Sequence, residues 1–201
     1  LQKVVTQVNR IKPDIMALQE IDYLAKRSFN VDQEKALCAL GYNYAARAVN
    51  WDKRYLPFPY WPPSMHFGKV LSGQSIISKY PLKDDERIVL DRVENTSFFR
   101  DAFYLERLAQ VAKVELGGKE VVLINVHLEA FDRDTRRKQF AYILELFTSY
   151  KNRYPTILLG DFNSPARDSD AVIHKLIMMD GVGAAAFDGS NIANTYDSKA
   201  P

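Results

Sequence analysis

The spacing of apolar residues along this chain predicts a mixture of helices and strands. Between Leu1 and Ile11 the apolar residues recur every three or four positions, which is typical of an amphipathic helix, and Lys12-Pro13 ends it. Elsewhere, short apolar or alternating runs predict strands, and Gly117-Gly118 joins two of them in a tight hairpin. The predicted strands cover residues 15–19, 42–46, 74–79, 86–93, 107–116, 120–128 and 156–159, and the other predicted helices cover residues 33–40, 135–150 and 171–178.

The longest predicted helix has both a start signal and an apolar stripe. Asp134 precedes it as the expected N-cap, because a short acceptor side chain can bind the first unpaired backbone amides of a helix. Its inward face is expected to carry Phe140, Ile143, Leu144 and Phe147. Hairpin-linked strands mixed with strand–helix units predict an α/β domain whose helices cover the faces of its sheets.

Residues 50–67 follow neither the helical nor the strand period. The segment contains four prolines and six aromatic residues. A loop this long in a compact domain is usually functional or disordered, and the aromatic content argues against disorder. Its rings could stack on nucleic-acid bases, lie in a lipid surface, or form a lid over apolar surface.

Composition narrows the classes of function. The 201 residues suffice for one domain, and 27 basic against 25 acidic residues give no support to a non-specific nucleic-acid coat. The single cysteine, Cys38, cannot form an internal disulfide and is expected in the core. No apolar run reaches the ~20 residues that span a bilayer. The chain begins at Leu1, inside a helix, so we expect its natural N-terminus to be missing and predict no compartment.

Three predicted strands end in polar residues that suit phosphate chemistry. Glu20 follows the first strand, His127 and Glu129 follow another, and Asp161 and Asn163 follow the last. Functional groups gather where strands leave a sheet, because the scaffold there is rigid. Carboxylates without clustered cysteines suit Mg²⁺ or Mn²⁺ better than zinc. The alternative explanation of Asp161 and Asn163 is an Asx turn that caps the next helix.

Four segments that carry these residues resemble, in the same order, the motifs of the endonuclease/exonuclease/phosphatase family, which includes deoxyribonuclease I and the neutral sphingomyelinases. They are Pro13–Glu20, Gly73–Leu82, Asn125–Glu129 and Gly160–Asn163. Each motif alone is weak, but four in register are specific. The resemblance implies a four-layer α-β-β-α sandwich of two packed mixed β-sheets flanked by helices. It also implies a single domain over residues 1–201 that is incomplete at both ends.

The resemblance further implies roles for individual residues. Glu20 resembles the carboxylate that holds Mg²⁺ or Mn²⁺, and Asp161 resembles the residue that orients or deprotonates the attacking water and also touches the metal. His127 resembles the histidine that grips the phosphate or assists the leaving group. Asn163 resembles a hydrogen-bond donor to the phosphoryl oxygens. Together these roles describe in-line attack of water on phosphorus.

Two further residues are candidates for substrate binding. Arg136 falls beside the inward stripe near the start of the long helix, where it could reach a phosphate or form a structural salt bridge. Gln74 lies where the resemblance places the entry of a strand into the site. Arg100, Asp101 and Arg107 could also contact substrate, although the residues around them form no recognisable motif.

The resemblance implies a divalent-metal-dependent hydrolase that cleaves a phosphodiester in nucleic acid, in a phospholipid or in another small phosphoester. We expect it to act as a monomer without an obligate protein partner. The chain departs from the family pattern at its ends. No strand ending in Asn precedes the first helix, and no Ser-Asp-His follows Asn163, for which His174 in a helical run is a poor substitute. The alternative function is therefore a non-catalytic binding or scaffolding domain that retains the fold.

Overall fold

The computed structural model describes residues 1–94, 96–97 and 103–164. The chain divides into two compact units, residues 1–161 and 162–201, and the first contains every element described below. The predicted helix at residues 171–178 lies outside the described residues. The helices are α1 (Gln2–Ile11), α2 (Gln33–Cys38) and α3 (Arg133–Lys151), and the strands are β1 (Ile15–Asp22), β2 (Tyr44–Leu56), β3 (Gly68–Ser78), β4 (Leu82–Val89), β5 (Leu108–Leu116), β6 (Lys119–His127) and β7 (Thr156–Asp161).

Two β-sheets make up the centre of the first unit. One has the strand order β1-β3-β2 and is antiparallel throughout. The other has the order β4-β5-β6-β7, in which only β6 and β7 are parallel. The long crossover through α3 makes this parallel pair possible, because parallel neighbours cannot be joined by a tight turn. The predicted α/β fold of two sheets with flanking helices is confirmed.

The two sheets pack against each other through small and branched side chains. Ala46 and Ile76 of the first sheet meet Ala112, Val114 and Leu123 of the second, and all five are buried. Because the two alanine side chains are small, the sheets can approach to the usual separation of stacked sheets, about 10 Å. Each fully buried branched side chain here stabilises the fold by about 1.5–3 kcal/mol.

The helices cover the outer faces of the sheets. Val8 of α1 and Leu37 of α2 belong to one apolar cluster with Met16 and Ile77 on the outer face of the first sheet. On the second sheet, α3 buries three residues of its predicted stripe, Phe140, Ile143 and Phe147. Among the helices that the structure describes, none is long and apolar enough to cross a membrane.

The predicted loop at residues 50–67 is shorter than expected. β2 runs to Leu56 and β3 begins at Gly68, so only residues 57–67 connect them. The pairing register shifts between Val49 and Trp51 and again after Lys53. Bulges of this kind break the alternation of apolar and polar residues, which explains why the sequence pattern missed the second half of β2.

The N-cap of α3 is Asp132, not Asp134 as the sequence pattern predicted. The helix begins at Arg133, and the Asp132 carboxylate accepts a hydrogen bond of 2.7 Å from the backbone amide of Thr135. Asp134 lies in the first turn with 86% of its side chain exposed. Both aspartates are of the residue type that N-caps prefer. The cap lies two residues earlier than predicted because the loop after β6 ends, and the helix begins, at an earlier position.

We expect Asp132→Ala to lower the free energy of unfolding by about 1 kcal/mol, because the amide of Thr135 loses its acceptor. The matched control is Asp134→Ala, which removes an exposed acid and should change stability by no more than about 0.5 kcal/mol. Urea denaturation of the two variants checks this. Equal losses would show that Asp132 does not act as the cap.

Candidate active site

Three of the predicted site residues meet at one edge of the molecule. Strands β1, β6 and β7 all end there, and the parallel register sets His127 directly beside Asp161. The Nε2 atom of His127 lies 3.9 Å from Glu20 Oε1 and 4.0 Å from Asp161 Oδ2. The two carboxylates therefore flank one imidazole nitrogen, and they come from different sheets.

Glu20 reaches this position through a bulge in β1. The register shifts between Leu18 and Ile21, and Glu20 has a positive φ of 54°. Positive φ is uncommon outside glycine, and such bulges often redirect a side chain at a functional site. The bulge leaves 61% of the Glu20 side chain exposed at the end of an otherwise half-buried strand. Next to it, Gln19 Nε2 donates to Asn125 Oδ1 at 2.5 Å and fastens β1 to β6.

Asp161 is placed by the close approach of β7 to β6. Gly160 has φ 133°, and a Cβ atom there would lie 2.1 Å from the carbonyl oxygen of Val126, so only glycine fits. The carbonyl of Asp161 accepts a hydrogen bond of 2.9 Å from the amide of Leu128. Its carboxylate is 39% exposed, which leaves it accessible to solvent at the strand end.

His127 is buried and acts as a hydrogen-bond acceptor. Arg107 Nη1 lies 2.6 Å from His127 Nε2, and since arginine has only donors, this nitrogen must accept. In the neutral ring the proton is then on Nδ1, which is buried and meets no acceptor among the residues that the structure describes. Burial, and secondarily the charge of Arg107, lower the pKa of His127. The site therefore favours the neutral imidazole.

Arg107 is held from its other side by Glu129. Its Nε lies 3.5 Å from Glu129 Oε2, and both side chains are buried. The Glu129 carboxylate also accepts hydrogen bonds from Tyr104 Oη at 2.8 Å and from the amide of Phe131 at 3.0 Å. Although burial opposes the charged form, these bonds and Arg107 lower the pKa of Glu129. The result is a continuous buried chain from Glu129 through Arg107 to His127.

Gln74 and Arg136, the two predicted substrate contacts, are both engaged in internal hydrogen bonds. Gln74 is fully buried and its Nε2 donates to the carbonyl of Asn125 at 2.9 Å. Arg136 Nη1 donates to the carbonyls of Glu129 and Ala130, at 2.8 and 3.1 Å. Both side chains therefore bind the backbone of strands and loops next to the site. Contact of either residue with substrate stays a prediction.

Asn163 belongs to the second unit, two residues after Asp161, and has φ 48°. This conformation suits an asparagine in a turn. Its predicted role as a donor to phosphoryl oxygens, and the alternative of an Asx turn, both stay open. Arg100, Asp101 and His174 lie outside the described residues.

The exposed carboxylates of Glu20 and Asp161 fit the ligand preference of Mg²⁺ or Mn²⁺. Both lie within 4.0 Å of the same nitrogen of His127, so these two carboxylate oxygens are at most 7.9 Å apart, the sum of 3.9 and 4.0 Å. Within residues 1–94, 96–97 and 103–164, no group of three or more His, Cys, Asp or Glu side chains forms a metal cage. Magnesium typically uses one or two carboxylates and keeps several waters. The pair is compatible with that mode of binding.

The sequence contained a signal for Arg107 that motif recognition did not use. The Gly117-Gly118 turn sets the hairpin register, and counting back along β5 pairs Leu108 with His127. Arg107 is the next residue, so the register alone places it at the same edge. The contact with Glu129 depends on how the chain turns after β6, and no local pattern reveals it.

We expect Arg107→Ala to destabilise the protein by about 3–5 kcal/mol, because it leaves Glu129 as a buried carboxylate without a cation. The matched control is Lys83→Ala. The pair Lys83–Glu115 has the same 3.5 Å separation but is half-exposed, so its loss should cost no more than about 1 kcal/mol. Chemical denaturation measures both. Similar losses would contradict the buried role of Arg107.

We expect stability to fall as the pH drops below about 6.5, the ordinary pKa of histidine. The pKa of His127 is lowered in the folded protein, so the unfolded chain binds a proton more readily and acidification favours unfolding. Urea denaturation in EDTA between about pH 7 and pH 5.5 should show a steeper decline than in His127→Gln, whose amide oxygen can still accept from Arg107. Parallel profiles for the two proteins would contradict a neutral His127.

Comparison with solved structures finds the same fold in several proteins. An endonuclease/exonuclease/phosphatase from Beutenbergia cavernae DSM 12333 has a TM-score of 0.64 at 19% identity, over 87% of this chain and 47% of its own. The human Nocturnin catalytic domain with bound sulfate has a TM-score of 0.59 at 19% identity, over 90% and 61%. Sphingomyelinase C from Streptomyces griseocarneus has a TM-score of 0.57 at 18% identity, over 88% and 60%.

This chain therefore spans about half of the first of these structures and about three fifths of the other two. No curated protein matches its sequence significantly. The model of the Endonuclease/Exonuclease/phosphatase family, however, matches residues 1–192. Because that match covers nearly the whole chain, this protein belongs to the endonuclease/exonuclease/phosphatase family.

Proposed function

We propose that this chain forms part of a divalent-metal-dependent hydrolase that cleaves a phosphodiester by in-line attack of water. The observation that carries the proposal is that Glu20 and Asp161, from different sheets, each place a carboxylate oxygen within 4.0 Å of His127 Nε2. Membership of a family that contains phosphoesterases supports it. A binding domain without catalysis would have no need for two exposed carboxylates beside a buried, neutral imidazole.

Asp161 is the proposed proton acceptor. Its exposed carboxylate can orient a water molecule and take the proton that this water loses as it attacks phosphorus. Glu20, presented by the β1 bulge, is the proposed metal ligand, with Asp161 as a second one. When bound, Mg²⁺ or Mn²⁺ would supply positive charge for the phosphoryl oxygens. As the water attacks, the bond between phosphorus and the leaving oxygen breaks, and that oxygen takes its proton from solvent.

Arg107 and Asn163 are the proposed partners of the phosphoryl group. Arg107 is fixed between Glu129 and His127, so its charge is already oriented before substrate arrives and costs no reorganisation during the reaction. Asn163 adds an amide donor two residues after Asp161. In this scheme His127 positions Arg107 and stays neutral. That differs from the leaving-group role implied by the sequence resemblance, which needs a proton on Nε2.

The substrate class within phosphodiesters is not determined by the family. One structural relative is named a sphingomyelinase and another a 2′,3′-cyclic phosphatase. Both nucleic acid and a phospholipid headgroup present a phosphodiester with an accessible anionic oxygen. We propose a diester because His127 and Glu129 resemble the His-x-Glu strand of those family branches that mostly cleave diesters, which is an argument from analogy.

The test is hydrolysis of an aryl phosphodiester and of the matching monoester by the full-length gene product with Mg²⁺ or Mn²⁺. Asp161→Asn should lower diester turnover at least ~10²-fold, the typical effect of losing a general acid–base group. EDTA should abolish it. The control is Asp134→Asn, an exposed aspartate on α3, which should have no effect.

Diester turnover that persists in Asp161→Asn would refute the proposed base. If folded, metal-supplied protein cleaves neither ester, nor phosphodiesters in DNA, RNA or phospholipid vesicles, the proposal fails. The binding or scaffolding function would then be favoured.

A further inference from the structure

The β2–β3 hairpin extends well past the candidate active site. Glu20 lies level with Gln74 of β3, since the β1 bulge falls between the pairs that involve Ser75 and Gly73. β1 makes its last pair with Ser72, whereas β3 continues back to Gly68 paired only with β2. At about 3.4 Å per residue, the hairpin reaches about 20 Å beyond the level of Glu20. It forms an arm at the edge where substrate would arrive.

We call the end of this arm, residues 55–68, the tip. No Lys, Arg, Asp or Glu occurs in it. Five of its side chains are large, apolar or aromatic, and half or more exposed: Tyr55 56%, Phe58 50%, Tyr60 75%, Trp61 80% and Met65 62%. Five exposed large side chains within one short segment are typical of an interaction surface.

The tip is ordered by its own contacts. Tyr55 Oη and His66 Nδ1 are 2.5 Å apart, and the rings of Phe58 and Phe67 meet edge-to-face at 5.4 Å between centroids. At the base of the arm, Arg27 binds Asp22 and lies over the Phe67 ring at 5.8 Å. The exposed rings are therefore carried by a segment that its own side-chain contacts hold in place.

The backbone of the tip is unusually poor in free hydrogen-bond donors. Four of its residues are prolines, which have no N–H group. Three further amides donate within the tip: Phe67 to the carbonyl of Phe58, Met65 to that of Pro62, and His66 to that of Pro63. Placing backbone in an apolar environment is costly only where its polar groups lack partners. These seven residues therefore have no unpaired backbone N–H group, which lowers the cost of moving the tip out of water.

Cations surround the base of the tip and are absent from the tip itself. Lys53 and Arg54 precede it on β2, Lys69 follows it on β3, and the Lys26 side chain lies against Gly68. With Arg27 these make five cations at the base, and two carboxylates, Asp22 and Asp52, accompany them. Tyrosine and tryptophan at an apolar end, with lysine and arginine behind them, is the arrangement that proteins use at the interface of a membrane. A nucleic-acid platform would instead interleave cations with rings along a groove.

We propose that this arm docks the protein on a phospholipid bilayer that contains anionic lipid, with Tyr60 and Trp61 in the interface and the basic base among the headgroups. The docking is peripheral, and it faces the edge that carries Glu20 and Asp161 toward the bilayer. It depends on the arm alone, so it holds whether or not the proposed hydrolysis is correct.

The experiment uses the full-length gene product and vesicles of phosphatidylcholine and phosphatidylserine whose acyl chains are brominated. Trp61 and Trp51 are the two tryptophans of this chain. We expect bromine to quench Trp61 emission, and we expect this quenching to disappear in Trp61→Phe, which should still bind vesicles. Trp51, whose indole donates to the carbonyl of Phe103, should stay unquenched.

Binding is measured by co-sedimentation with the same vesicles. The double variant Tyr60→Ser/Trp61→Ser should bind at least about tenfold more weakly, because two rings lose their apolar burial. The matched control, Tyr142→Ser, removes a 44%-exposed ring on α3 and should bind normally. Lys69→Gln should weaken binding by about fivefold, the typical contribution of one cation near an anionic surface.

Several results would overturn the docking proposal. These are absence of Trp61 quenching, equal binding by the double variant and the Tyr142 control, or quenching by a single-stranded oligonucleotide but not by vesicles. A dimer that the double variant dissociates, without vesicle binding, would assign the tip to a second copy of the chain. Asp161→Asn should bind vesicles normally. If the protein turns over a soluble diester but does not bind vesicles, only the docking proposal is refuted. If it binds vesicles but has no turnover, only the hydrolase proposal is refuted.

Discussion

The candidate site depends on a buried set of amide hydrogen bonds that joins the two sheets. Asn125 of β6 is at its centre: it accepts from Gln19 on its side chain and from Gln74 on its carbonyl. Gln110 of β5 continues the set by donating to the carbonyl of Ala46 at 2.8 Å. Apolar packing alone lets sheets slide over one another, whereas buried amides must keep their partners. Because these bonds cross between sheets, they determine how β1 lies beside β6.

That alignment explains why the site can combine groups from distant parts of the chain. Glu20 belongs to the first sheet, and His127 and Asp161 belong to the second. The parallel β6–β7 register relates the latter two directly, whereas Glu20 comes to 3.9 Å from His127 through the cross-sheet bonds together with the bulge in β1. Positioning of this kind, within fractions of an ångström, is what a preorganised site requires of its supporting residues.

The sequence pattern predicts the elements of this site better than their local conformations. Strand ends and motif order brought Glu20, His127 and Asp161 together as candidates, and in the structure both carboxylates lie within 4.0 Å of His127 Nε2. The positive φ of Glu20 could not be predicted, because a bulge follows from the pairing of β1 with β3 rather than from the residues of β1. The same cause extended β2 beyond its apparent end.

Arg107 illustrates a second limit of prediction from sequence. Its position followed from the hairpin register, but its function follows from burial, which brings its charge against both Glu129 and His127. Periodicity identifies which face of a strand is buried and is silent about a residue just before the strand begins. Recognition of such a residue requires the tertiary structure, since its partners lie about 20 residues away in sequence.

The orientation of Glu20 and the direction of the arm share one structural cause. The bulge in β1 lies opposite Gly73 and Ser75, and the bulge in β2 between Val49 and Trp51 lies opposite Gly73 from the other side. A Cβ atom on Gly73 would come within 2.2 Å of a β2 carbonyl, so glycine is needed for the strands to pass this closely. Bulges increase local twist and bend the strands that contain them. The irregular strand pairing around Gly73 therefore turns the Glu20 carboxylate outward, and the arm formed by β2 and β3 begins just beyond it.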